Sequence, residues 1–248
     1  MAWTIRPINL GEAILDHKAK FTYFRGWAES VRIAYIAWHL TDGRVHILVD
    51  TGPADPAWAF AHRGLTLAQG PENTMPAYLR SMCLSPADVD LVICTHLHWD
   101  HCQNHGMFSS AEFVVQKREL EHAICPLPMD KSIYGWSSDG AAPFLSVAGQ
   151  YKVIQGDKEL CRGLTVVLTP GHTPGLQGVL VEGQTGSYYL ASDSIPLFDN
   201  WTPREPIPSG IYVNMNEYYE SFEKIRALGV SLVLPGHDLK VLERTEYS

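Results

Sequence analysis

Apolar residues recur along this chain in short runs, and the runs predict strands more often than helices. Arg32 to His39 alternates weakly and predicts a strand. Arg44 to Asp50 (RVHILVD) predicts its hairpin partner, with Asp42-Gly43 as the turn and Thr51-Gly52-Pro53 as the stop. Met75 to Met82 reads as a short helix with Pro76 in its first turn. Ser85-Pro86-Ala87-Asp88 is a turn or helix-start signal ahead of Leu91 to Cys94, an apolar run expected of a strand covered on both faces. A strand at Glu112–Gln116 and a short helix at Lys117–Ala123 follow. Residues 125–150, rich in Pro, Gly and Ser, are expected to form a long surface excursion of the kind that carries lids. Strands are predicted at 151–155, 164–169, 177–182 and 187–192, then an irregular stretch from Pro196 to Pro208. Asn216 is expected to cap a helix running to about Leu228, with Tyr219, Phe222, Ile225 and Leu228 on one face. Gly229 ends it, and Ser231 to Leu234 is a last buried strand. The pattern establishes mixed α and β; strands in two batches with interspersed helices fit a layered αββα sandwich.

No repeat, low-complexity tract or charged linker interrupts the 248 residues, so residues 1–248 are read as one domain. Composition narrows the partners. Nineteen basic residues against 27 acidic ones give a net charge of −8, with no dense basic patch, which argues against nucleic acid. No apolar run approaches the ~20 residues that cross a bilayer, and Arg6, Pro7 and Glu12 break up the N-terminus, so neither a membrane span nor a signal peptide is expected. Five cysteines without a CxxC pair make a poor disulfide framework and suit a reducing cytoplasm.

The chemistry lies in where the histidines fall. Thr95-His96-Leu97-His98-Trp99-Asp100-His101 directly follows the strand at 91–94. His96 and His98 are two apart, so in an extended segment they point to the same side, while Asp100 and His101 follow at a turn. Imidazole and carboxylate together suit a borderline divalent metal such as Zn²⁺. His172 (in TPGHT), Asp193 (after YYLAS) and His237 (in LPGHD) each stand just beyond a predicted strand, at the edge where a scaffold displays its site. His17, His39, His46, His62 and His122 are read as structural or solvated. Cys102 is read as packing, His105 as a neighbour of the cluster, and Asp50 as a carboxylate that either orients a ligand imidazole or belongs to its turn.

His96-x-His98-x-Asp100-His101, followed by His172, Asp193 and His237, resembles the ligand set of the metallo-β-lactamase superfamily. The match runs from about Ile33 to Asp238, includes Val49-Asp50-Thr51-Gly52, and is most similar to the N-acyl homoserine lactonases, with glyoxalase II as a cousin. The resemblance implies an αββα fold and two divalent ions, with zinc favoured over manganese, iron or cobalt. It places the first ion on His96, His98 and His172 and the second on Asp100, His101 and His237, with Asp193 bridging. It further implies that a hydroxide shared by the metals attacks a lactone or related ester, with Asp100 shuttling a proton. A homodimer is common among similar proteins. The alternatives are a glyoxalase II-like thioesterase and a persulfide dioxygenase holding one iron on His96, His172 and Asp193.

One position departs from the lactonase pattern. Similar enzymes carry a tyrosine three residues after the bridging aspartate, where Pro196 stands here. Tyr212 is the candidate to supply that catalytic hydroxyl from another loop, with Tyr134 as a second choice. Trp27, Trp99, Phe198 and Trp201 are the candidate substrate-binding aromatics, of which Trp99 is flanked by ligands.

Overall fold

The strands predicted from alternation sort into two sheets packed face to face. The computed structural model describes residues 2–137, 141–202 and 204–248. The first sheet has six strands in the order β1 (Thr4–Leu15), β2 (Val31–Thr41), β3 (His46–Val49), β4 (Leu91–Ile93), β5 (Glu112–Gln116) and β6 (Tyr151–Ile154). The second has five, in the spatial order β11 (Leu232–Pro235), β10 (Ser187–Ser192), β9 (Gln177–Glu182), β8 (Leu164–Leu168) and β7 (Lys158–Cys161). Between the sheets lies an apolar layer built from alternate positions: Ala34, Ile36 and Trp38 of β2 meet Val166, Val179, Val181 and Leu190 of the facing sheet. The other face of β2, with Ile33, Tyr35 and Ala37, packs towards α1 (Pro56–Arg63), α2 (Met75–Ser81) and α4 (Lys117–Ile124). On the far side, α5 (Met215–Ala227) covers the second sheet through Tyr218, Phe222 and Ile225. These are the four layers of an αββα sandwich. β2 is buried on both faces, which explains why its alternation reads only weakly.

Several expectations are corrected. The N-terminal residues form β1, an edge strand whose pairing with β2 shifts register between Asn9 and Glu12; Pro7 and this irregularity hide the strand from a search for alternation. α1 and β7 were likewise not predicted. α5 is capped by Asn214, whose side chain accepts from the backbone N–H of Asn216 and Glu217, so the cap lies two residues before Asn216. Its buried face carries Tyr218, Ser221, Phe222 and Ile225, whereas Tyr219 is 49% exposed. The segment 125–150 is not a surface excursion throughout. Tyr134, Ala142, Phe144 and Val147 are buried in the helix-side core, and 143–150 forms 3-10 turns. Residues 138–140 of that segment, and Pro203 of the irregular stretch, lie outside the described residues.

Among the described residues no helix is long and apolar enough to cross a membrane. What matters for function is the edge of the sandwich where β4, β8, β10 and β11 all end. Each of these strands is followed within four residues by a predicted metal-ligating residue.

Candidate metal centre

The polar residues beyond β4, β8, β10 and β11 converge, although they are 141 positions apart at the extremes of His96 and His237. His96 Nε2 lies 3.1 Å from His98 Nδ1, which lies 3.2 Å from His172 Nε2. One carboxylate oxygen of Asp193 is 3.3 Å from His172 Nε2; the other is 3.3 Å from His101 Nε2 and 3.1 Å from His237 Nε2. Three sets have their ligand atoms within 4.8 Å of one another: His96, His98 and His172; His96, His101 and Asp193; and Asp100, His101 and His237. Trp99–Cys102 forms a single helical turn, α3, which carries Asp100 and His101 back towards the centre. All but Asp100, which is half-buried, are buried.

The outer nitrogens of the rings explain which way the inner ones face. His172 Nδ1 donates to the Ile211 carbonyl at 2.8 Å and His237 Nδ1 to the Ala34 carbonyl at 2.8 Å. A carbonyl cannot donate, so each ring must, and this leaves the inner Nε2 of a neutral ring with its lone pair towards the centre. Thr95 performs the same service for His96. Its hydroxyl lies 2.7 Å from an oxygen of Asp50 and donates there, so it receives hydrogen bonds from Ser192 Oγ at 2.8 Å and His96 Nδ1 at 3.1 Å. Asp50 also accepts from the Thr95 N–H at 2.8 Å and from His101 Nδ1 at 2.8 Å. Asp50 and Ser192 both adopt positive φ, 61° and 47°, and these two strained residues flank the Thr95 hydroxyl. Asp50→Ala should weaken metal binding about 10–100-fold, read by competition with a chelator. Unchanged affinity would confine Asp50 to its turn.

Electrostatics favour positive charge here. Burial holds the imidazoles of His96 and His98 well below their ordinary pKa, so both stay neutral and able to ligate. At His101 burial also disfavours charge, but Asp100, Asp193 and Asp50 outweigh it and raise the pKa well above its usual value. At His237 Asp193 likewise overcomes burial. Burial opposes ionisation of Asp193, yet His237, His172 and His101 draw its pKa well below that of an ordinary carboxyl.

The residues fit a metal cluster on one direct test. His101 Nε2, Asp193 Oδ1 and His237 Nε2 are buried and complete no hydrogen bond, despite lying so close together. Buried polar atoms without partners are costly, and three converging on one point are a donor set for a cation.

Comparison with known proteins decides the family. The family model described as the metallo-beta-lactamase superfamily matches residues 34–237. This chain belongs to the metallo-beta-lactamase superfamily. Divalent-metal binding is implied by that membership. Its relatives include the N-acyl homoserine lactonase AiiA of Bacillus thuringiensis subsp. kurstaki, 32% identical over 171 residues, which are 64% of this chain and 63% of AiiA. The N-acyl homoserine lactonase AttM of Azorhizobium caulinodans is 31% identical over 177 residues, 65% of this chain and 63% of AttM. The match thus spans under two thirds of these curated relatives. Among solved structures, an N-acyl homoserine lactone hydrolase with N-hexanoyl-L-homoserine at its catalytic metal center superposes with a TM-score of 0.80 at 21% identity, covering 98% of this chain and 96% of that one. The dizinc lactonase AidC superposes with a TM-score of 0.71 at 16% identity, covering 96% and 88%. At those identities the superpositions establish a shared metallo-beta-lactamase fold.

A cleft of about 150 Å³ opens onto His98, Asp100, His172 and Asp193 and is walled by Phe21, Ile33, Tyr35, Trp99 and Ile211, with Arg63 and Lys20 also lining it. An adjoining pocket of about 250 Å³ shares His98, His172 and Arg63 and extends to Met129 and Tyr212. Of the four predicted substrate-binding aromatics only Trp99 lines the cleft; it also stacks on Trp58 with ring centres 5.5 Å apart. Trp27 is 58% exposed against His17 and Phe24, Phe198 packs against the inter-sheet core, and Trp201 lies on Phe222 of α5. Being close to Asp193 in sequence does not bring Phe198 and Trp201 to it, because the turns that follow β10 lead them away, and Trp27 lies in the exposed segment between β1 and β2. Tyr212 sits at the outer pocket, edge-on to Tyr23, and Tyr134 donates its hydroxyl to Glu119 at 3.1 Å.

Sequence reasoning missed Glu119 altogether. It is fully buried in the first turn of α4, and one oxygen accepts from the Leu97 N–H at 2.9 Å and from Tyr134. The other accepts from Thr173 Oγ1 at 2.6 Å and the Gly175 N–H at 3.2 Å. Glu119 therefore joins the loop between His96 and His98 to the loop after His172. Gly175 must stay bare, since a Cβ there would run into the Glu119 backbone. The one available signal was that Glu119 and Ala123, four apart, share a helix face. Of the residues read as structural, His39 meets His46 at 3.0 Å and burial lowers its pKa to about 4. His105 is buried behind the centre near Cys94, with its pKa lowered to about 3. Cys102 donates to the Leu97 carbonyl.

Proposed function

We propose that this chain works as one domain, as a metal-dependent hydrolase that opens lactones, N-acyl homoserine lactones among them, or cleaves related carboxylic esters. The observation that carries the reading is Asp193, whose two oxygens reach the two separate histidine groups at 3.1–3.3 Å within an open cleft. Lactonase relatives at 31–32% identity support the substrate class. His96, His98 and His172 would hold one divalent ion and Asp100, His101 and His237 a second, with Asp193 shared. Zinc is the favoured ion for this mixture of imidazole and carboxylate. When bound, such a pair of ions supplies an acidified water and polarises an ester carbonyl.

The chain's own groups do the rest. Asp100 is half-buried and lines the cleft, with one oxygen 3.9 Å from His101 Nε2. Its carboxylate takes the proton released as water adds to the carbonyl carbon and passes it to the departing alkoxide oxygen. Phe21, Ile33 and Trp99 exclude bulk water on one side, and the pocket towards Met129 and Tyr212 leaves room for an acyl group. The carboxylates of Asp100 and Asp193 leave a centre that, with two divalent ions held on it, would keep a net positive charge towards a carbonyl or a carboxylate product.

The test is metal content per chain together with hydrolysis of one acyl homoserine lactone and one acyl thioester. Two ions and lactone opening are expected, with activity lost to a chelator and restored by zinc. Cleavage of the thioester alone would move the enzyme to thioester chemistry. One iron with no hydrolysis would overturn the reading.

A further inference from the structure

Tyr35 is 3% exposed, and its ring lies between those of His237 and Trp99, with centres 5.7 and 5.8 Å away. Packing accounts for the ring, and among the described residues Tyr35 is the one tyrosine that lines the cleft. It lines the cleft with His98, Asp100, His172 and Asp193, yet its hydroxyl makes no hydrogen bond with any described residue. Other buried or half-buried tyrosines are engaged. Tyr134 donates to Glu119, Tyr218 to the Asp193 carbonyl at 2.5 Å, Tyr151 to the Phe144 carbonyl at 2.9 Å, and Tyr189 pairs with Thr169. The Tyr35 ring is buried, but its oxygen is not one of the buried polar atoms left without a partner, so the hydroxyl opens onto the cleft. A hydroxyl left unpaired beside a reactive centre is available to a ligand.

Its position is also fixed. The neighbouring Ala34 is tied to His237 twice, by its own N–H to the His237 carbonyl at 3.0 Å and by its carbonyl to His237 Nδ1 at 2.8 Å. β2 and the loop that carries His237 are therefore in register, and Tyr35 enters the cleft from a rigid strand. A preformed donor of this kind needs no reorganisation during reaction.

We propose that Tyr35 is a catalytic residue, donating a hydrogen bond from its phenolic oxygen to the oxygen that leaves when the ester or lactone C–O bond breaks. The inference rests on the hydrolase reading. The carbonyl carbon gains an oxygen from water, and the C–O bond electrons move to the leaving oxygen. The proton for that oxygen comes from water by way of Asp100. Tyr35 holds the developing alkoxide by hydrogen bond and ends the cycle unchanged. The hydroxyl thus comes from β2 and not from the turn after Asp193, where Pro196 stands, and Tyr212 is left in the outer pocket.

Tyr35→Phe removes only the hydroxyl and keeps both ring contacts. The variant and the wild type are compared in metal content, melting temperature, kcat and KM. The substrates are N-hexanoyl homoserine lactone, a simple alkyl ester, and a p-nitrophenyl ester whose leaving group needs no help. Metal content should be unchanged and melting temperature equal or higher, since no hydrogen bond is lost. kcat for the lactone and alkyl ester should fall 10- to 100-fold, with less than a threefold change for the p-nitrophenyl ester. Equal losses on all three substrates, an unchanged kcat, or a lower melting temperature with metal loss would overturn the proposal. If the wild type opens none of the three, the hydrolase reading itself fails; an active wild type with an unaffected variant removes only the role of Tyr35.

Discussion

Asp193→Ala is expected to lose at least one metal ion per chain and to reduce hydrolysis by a factor of about 10³ or more, as removal of a group that organises the transition-state charge does. Its carboxylate is the one element common to both histidine groups, with one oxygen near His172 and the other near His101 and His237. The same carboxylate is what overcomes burial at His237 and contributes to doing so at His101. Without it five imidazoles face one another across a buried centre with Asp100 as the remaining cleft carboxylate, and binding two dications there forfeits a large part of the attraction. Metal analysis and lactone hydrolysis on the same preparation check the outcome, with circular dichroism to establish that the chain is folded. Full activity in a folded variant would remove Asp193 from the bridge. Asp193→Asn separates charge from shape, because the amide retains one acceptor oxygen and loses the negative charge.

Glu119→Gln should destabilise the fold by about 3–4 kcal/mol and weaken metal binding, although Glu119 is itself no ligand. All four groups that reach its oxygens are donors in the wild type: two backbone N–H groups and the hydroxyls of Tyr134 and Thr173. An amide has one acceptor oxygen, so its NH₂ must face two donors and leaves them unsatisfied in a dry site. The Thr173 and Tyr134 hydroxyls can rotate, whereas the N–H groups of Leu97 and Gly175 cannot. The position of the carboxylate in the first turn of α4, where the helix end favours negative charge, adds to the loss. Denaturant unfolding gives the stability and chelator competition the affinity. A loss of stability with unaltered metal affinity would mean that the loops of His96, His98 and His172 hold their shape without this clamp.

The residues that converge at the sheet edge were legible in the sequence because His96, His172, Asp193 and His237 each stand within four residues of a strand end, and strands were read well. Glu112–Gln116, 177–182 and 187–192 are observed as expected, and β4 and β8 end within a residue of their predicted bounds. Short strands buried by both neighbours carry an apolar signal that neither turn chemistry nor side-chain entropy obscures. β1 was missed because Pro7 and a register shift interrupt its alternation, and α5 was given its cap two residues late because two asparagines offer the same cap chemistry. The excursion at 125–150 has the composition of a loop, yet Phe144 and Tyr134 fill space under the helices. Composition reports backbone freedom and says nothing of which side chains find a core.

The sequence by itself carried the αββα class, the seven polar residues near strand ends or in the turn after β4 and, through them, the resemblance to the family. Those are local properties: a residue's type and its distance from a strand end are written in the order of residues. Only the tertiary structure decided which aromatics wall the cleft, that Glu119 lies buried between the loops of His96 to His98 and of His172, and that Tyr35 opens a hydroxyl onto the cleft with no hydrogen bond to a described residue. Each of these depends on contacts between segments up to hundreds of positions apart, where burial and hydrogen-bond satisfaction are properties of the packed chain and not of any stretch within it.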